Sequence, residues 1–169
     1  MDTETRLPLS ELNQEDLLAF FVSHLNRIYC AKSQLVEKLP ELSKQAHFLD
    51  LKQAIDETVD IVRGQIQRMR QMYILLDSIY HSESCNGLIG LLDEAFQYIG
   101  TNGNKPGLRD LSILFYMQNI ESIEMASFYM LMVVTEKLGE PEVTQLLQEC
   151  YDEAREDRIL LKQIANYYI

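Results

Sequence analysis

A chain of 169 residues is one domain by length and can bury a sizeable core. Its formal charge of -11 sets it against phosphate backbones and anionic lipid, so neither nucleic acid nor a membrane surface is an expected partner. The opening residues Met1-Asp2-Thr3-Glu4-Thr5-Arg6 lack the apolar stretch of a secretion signal, and the longest apolar run, Met125 to Val134, is about half a bilayer span; a cytoplasmic protein is expected.

Apolar residues recur at helical spacing almost throughout, and no strand candidate competes. The first long helix opens near Asn13, an N-cap with Asp16 three residues on. Its stripe reads Leu18, Phe21, Leu25, Ile28, Lys32, Leu35, and Pro40 is expected to kink or end it, with a short helical segment to Ala46. The second helix begins around Asp50, with Ala54, Thr58, Ile61, Gln65, Arg68 or Met69, Met72 and Leu76 on one face. A break over His81 to Asn86 precedes a shorter helix, Gly87 to Ile99. The run from Gly100 to Gly107 is the strongest loop signal in the chain. The third long helix carries Leu111, Leu114, Gln118, Glu121, Met125, Phe128 and Met132 on one face. Gly139-Glu140-Pro141 is a tight turn, Gly just past one helix and Pro just inside the next. The fourth gives Val143, Leu147, Cys150, Ala154, Asp157, Leu161, Ile164 and Tyr168.

One domain is therefore expected over residues 1–169: a helical hairpin (13–78), a connection (79–107) with its own helix, and a second hairpin (108–169). A connection that long can run the length of a bundle. Up-down-up-down bundles use short loops, whereas ferritin-like bundles have one long crossover. The expected fold is all-α: a ferritin-like four-helix bundle with one long crossover carrying a short extra helix.

Cys30, Cys85 and Cys150 are odd in number, far apart and without a CxxC pair. They read as small buried hydrophobes kept reduced, against a disulfide framework or a zinc cluster.

The polar residues on the stripes carry the information: Lys32, Gln65, Glu121 and Asp157, one on each long helix. Counting outward from the two hairpin turns puts position 32 level with 61 and 121 level with 154, each near mid-bundle. A ferritin-like di-iron site fills that layer with a Glu from each of two helices and Glu-x-x-His from the other two. The chain has no Glu-x-x-His, and His24, His47 and His81 are not placed for it. Glu121 and Glu124, three apart, can send two carboxylates toward one site; the competing reading puts Glu124 on a flank or the surface. No nucleophile–base pair or glycine-rich phosphate loop appears, so enzyme chemistry is not expected.

The chain resembles the ferritin-like stress proteins of the YciE/YciF type over nearly its whole length. The resemblance lies in Ile28-Tyr29-Cys30-Ala31-Lys32-Ser33-Gln34-Leu35, Gly64-Gln65-Ile66-Gln67-Arg68, Arg109-Asp110, the run from Gln118 to Ala126, and Leu146-Leu147-Gln148-Glu149. It implies a homodimeric bundle linked to stress responses, some members having a two-metal site. Against the family pattern, Lys32 stands where a Glu is usual; on the second helix Asp60, Ile61 and Val62 stand where Glu-Glu-Thr is usual, and Gln65 keeps the position of the Gln or His that follows. Glu121 and Glu124 keep the family's Glu-x-x-Glu, with Ser122 where His is usual. Asp152, Glu153 and Ala154 stand where a run of Glu is usual, and the inward position is Ala154. Lys32, Ile61 and Ala154 are thus the lost ligand positions that the resemblance implies.

The reading is a non-catalytic bundle with a degenerate di-metal site, no cofactor, and a structural or interaction role as a homodimer. An internal ion pair between Lys32 and Glu121, with Glu124 or Asp157 nearby, is expected in place of metal, because burying either charge alone costs several kcal/mol. The competing readings are a Lys32 that snorkels to water, and a metalloprotein holding an ion through Glu121, Glu124, Asp157 and Gln65.

Overall fold

The structure is a computed structural model that describes residues 12–169; the expectation drawn from Met1 to Arg6 lies outside the described residues. Among the described residues, all regular structure is helical: α1 (Gln14–Gln45), α2 (Leu49–Leu75), α3 (Asn86–Thr101), α4 (Pro106–Leu138) and α5 (Pro141–Tyr168). No helix among them is long and apolar enough to cross a membrane.

The helix ends follow from local chemistry. Asn13 Oδ1 accepts the Asp16 N–H at 2.8 Å, and Glu15 and Asp16 sit in the favourable first turn of α1. Gly139 closes α4 in the left-handed conformation (φ 73°) that favours glycine, and Pro141 starts α5 two residues later. α2 has no side-chain cap of its own. The two N–H groups just ahead of it go instead to Asp110 on α4: His47 N–H lies 2.9 Å from both carboxylate oxygens and Phe48 N–H 2.6 Å from Oδ2. Asp110 is fully buried.

Three local expectations are corrected. Pro40 does not end α1, which runs on through it to Gln45. The fully withdrawn Leu39 and Leu42 pack with Leu51 and Ile55 of α2, and that burial outweighs one missing backbone hydrogen bond. The Gly100–Gly107 loop shrinks to residues 102–105: α3 runs on to Thr101, and Pro106, pre-set for the first helical position, opens α4. The cysteines do not all stay reduced. Cys30 and Cys85 are joined in a disulfide with Cα atoms 6.1 Å apart, and only Cys150 is free. The irregular connection after α2 brings together two residues that lie 55 apart in sequence.

The packing order is a ring, α1 against α2 and α4, and α5 against α2 and α4. Contacts at the ends give the directions. Gln14 at the start of α1 donates to the Lys137 carbonyl at the end of α4, and Tyr168 at the end of α5 reaches Asp50 at the start of α2. Asp110 puts the starts of α2 and α4 at the same end. Neighbours in the ring are therefore antiparallel, and the connection from α2 to α4 must travel the length of the bundle. It does so along the outside, with α3 against α4 and α1.

The apolar core is in two parts. One holds Leu35, Leu39, Ile55, Val62, Met117, Ile120 and Leu161; the other holds Phe21, Leu25, Met69, Met72, Phe128, Leu147 and Cys150. On every long helix the residues between the two parts include a buried polar side chain: Lys32, Gln65, Glu121 with Glu124, and Asp157. That polar layer is the site.

Candidate functional site: a buried polar layer at mid-bundle

Helical spacing builds the layer. Lys32 follows Leu25 by two turns on α1 and precedes Leu35 by one, so its stem points inward between leucines. Its side chain is 0% exposed, which rules out snorkelling. Nζ lies 2.5 Å from Glu124 Oε2, donates to Gln65 Oε1, and stands 5.1 Å from the centre of the Phe128 ring. The amine thus finds one carboxylate, one amide oxygen and one aromatic face, each of which offsets part of the cost of taking an ammonium out of water.

The ion-pair partner is Glu124, not the Glu121 named from the stripe. Both carboxylates are buried, 6% and 2% exposed, so the flank position considered for Glu124 is also set aside. Residues three apart share one face, and a modest rotation of α4 decides which of them meets Nζ. Ile61 is half-buried, and Val62 is the buried residue of that turn, whereas Ala154 is fully inside.

The layer continues past Gln65. With Oε1 toward the amine, its Nε2 donates to Glu153 Oε2 at 3.1 Å and to the Cys150 carbonyl at 3.4 Å. Glu153 takes both ends of the Arg68 guanidinium, at 2.8 and 3.0 Å, and Arg68 Nε reaches Glu149 at 2.9 Å. One hydrogen-bonded chain therefore links α4, α1, α2 and α5 from the centre to the rim. The outer half was missed in the sequence, although Glu149 and Glu153, four apart on α5, form a face that suits a fork-shaped guanidinium.

Burial lifts the Glu121 carboxyl well above the usual range, and the charge of Glu124 adds to that; the opposing pull of Lys32 does not overcome them. Burial likewise raises Asp157 to about 6, against a hydrogen bond from Thr58 that favours the anion. The Thr58 hydroxyl lies 2.9 Å from the Ala54 carbonyl and 3.2 Å from Asp157 Oδ2. Its one proton serves a single acceptor, so a protonated Asp157 can donate to Thr58 while Thr58 donates to Ala54. Below about pH 6, with those two acids neutral, one ammonium faces one carboxylate and the interior charge closes.

A dinuclear metal site does not fit this arrangement. The ammonium occupies the heart of the carboxylate set, holds Glu124 and Gln65, and would repel any cation placed there. Among the described residues, no three His, Cys, Asp or Glu side chains converge to hold a metal ion. Beside the layer, α1, α4 and the start of α3 border an open groove of about 590 Å³, lined by Phe20, Ile28, Cys85, Ile123 and Met130, with Glu124 in its wall.

The family model described as "Domain of unknown function (DUF892)" matches residues 16–169. Protein YciF of Escherichia coli (strain K12) is 28% identical over 162 residues, 91% of this chain and 93% of that protein. The crystal structure of the E. coli stress protein YciF superposes with a TM-score of 0.85 at 26% identity, covering 90% of this chain and 96% of that one. YcfI of Rhodopseudomonas palustris, provisionally described as a structural protein, gives 0.82 at 26% identity over 89% and 94%.

Proposed function

This chain belongs to the DUF892 family, and from that premise and the polar layer we propose that it is a non-catalytic, ferritin-like bundle whose two-metal site has been replaced by an internal ion pair. Its role is structural or interactive, in the cytoplasm, and stress-associated in the way the name of the E. coli relative suggests. One observation supports this reading above the others: Lys32, fully buried, puts its ammonium against Glu124 and Gln65 at the depth where a ferritin-like bundle collects carboxylates. The positions of Lys32 and Ala154 inside that layer supply no carboxylate, and Ile61 supplies none beside it.

The working unit is a homodimer. α4 is apolar on more than its inner face: Phe115, Ile123, Met130 and Val133 fall on one outward side and are 64%, 46%, 52% and 37% exposed. Tyr129 is also exposed and Tyr116 half-buried, whereas Leu131 belongs to the core. An apolar stripe of this kind is what a partner surface covers. Light scattering is expected to give twice the chain mass, and a monomer at micromolar concentration would contradict the dimer.

Elemental analysis tests the replaced site. The purified protein is expected to carry no stoichiometric iron, manganese or zinc. One or two ions per chain, lost on Glu121→Ala, would overturn the reading.

A further inference from the structure

Residues 77–85, between α2 and α3, have no helix of their own, and one side of α1 holds them at successive points. Asn26 Oδ1 accepts the His81 N–H at 3.4 Å, the Tyr29 ring packs on Tyr80 at 4.6 Å, Ser23 donates to Glu83 at 3.1 Å, and Arg27 pairs with Glu83 at 3.2 Å. These contacts are weak where they meet water; Arg27 is half exposed. The same line ends at the bond between Cys30 and Cys85, the only covalent restraint on the strap among the described residues. Cys85 immediately precedes α3 and lines the groove whose wall includes Glu124.

We propose that Cys30 and Cys85 are a reversible dithiol–disulfide couple that fastens this strap to α1 and fixes the wall of the groove beside Glu124. The oxidant is a small disulfide of the glutathione type. Cys30 is half-buried and Cys85 buried, so exchange starts at Cys30. Its thiolate attacks one sulfur of the small disulfide and expels one small thiolate. The Cys85 thiolate then attacks the Cys30 sulfur of the mixed disulfide and expels the second. Two protein thiols become one disulfide and one small disulfide becomes two thiols, a transfer of two electrons and two protons. Cys150 stays out of the exchange: it is buried, and burial pushes its thiol up to about 12. In a compartment whose thiol buffer reduces exposed disulfides, the bond then reports oxidising conditions.

The test equilibrates the full chain in oxidised or reduced glutathione, then alkylates the unfolded protein. One labelled cysteine is expected after oxidation and three after reduction, out of three in the chain. The oxidised sample should also yield peptides containing Cys30 and Cys85 linked together. Glutamyl endopeptidase should cut after Glu83 about tenfold faster in the reduced protein, because cleavage follows the open population of the strap. Cys85→Ser should be cut at the reduced rate in both buffers, and Cys30→Ser gives the same reading if the first variant does not fold. Three labelled cysteines after oxidation, or equal cleavage rates for the unaltered chain in the two buffers, overturns the proposal.

Discussion

Lys32 Nζ stands 2.5 Å from Glu124 Oε2, with the lysine side chain wholly withdrawn from water and the glutamate nearly so. Two consequences follow. Neither charge can be removed alone without stranding the other in an apolar interior. Charge on the further acids in the layer is also disfavoured, and burial lifts both Glu121 and Asp157 above their ordinary values.

Stability should accordingly depend on pH through Asp157. Its folded value of about 6 lies above the ordinary 3.8, so the folded chain holds the proton more tightly than the unfolded one. The stabilisation is fully present below the ordinary value and is lost as pH rises through 6. Going from pH 7 to pH 5 should add about 1 kcal/mol from this group, and Glu121 acts with the same sign. Urea midpoints at the two pH values measure it. Asp157→Asn should remove that group's share; an unchanged difference between the two pH values would count against it.

The disulfide should stabilise the chain strongly. Cysteines 55 apart in sequence close a loop that the chain-entropy model values at about 4 kcal/mol. Guanidinium unfolding of the oxidised and reduced chain measures the difference. Cys30→Ser in either buffer should match the reduced protein.

Asp110 should matter to α2 although it belongs to α4. Asp110→Ala leaves the His47 and Phe48 N–H groups without their acceptor and should cost roughly 1–3 kcal/mol. Asp110→Asn keeps one acceptor oxygen and should cost less. Thermal unfolding of the two variants separates them; equal losses would mean that packing, not capping, explains Asp110.

Much of the fold was legible because its signals are local. Asn13, the Gly139–Pro141 turn and the three-four stripes each act within one or two turns of helix. The departure at Pro40 has a tertiary cause, burial of Leu39 and Leu42 across the hairpin, which no local rule contains. In the site, the stripes singled out Lys32, Gln65, Glu121 and Asp157, but spacing alone could not choose between Glu121 and Glu124, or between Ile61 and Val62. Each choice turns on a small rotation of one helix. The Cys30–Cys85 bond was hidden for another reason: it depends on the path of an irregular segment, to which periodicity does not speak.

The replacement of metal by an internal ion pair is tested most directly by a double-mutant cycle on Lys32 and Glu124, read by chemical denaturation. Lys32→Met and Glu124→Met should each cost about 3–5 kcal/mol, because each leaves an uncompensated buried charge. The double variant should recover much of that loss, giving a coupling of about 2 kcal/mol or more. A coupling near zero, with Lys32→Met within about 0.5 kcal/mol of the unaltered chain as at an ordinary surface position, would contradict the pair.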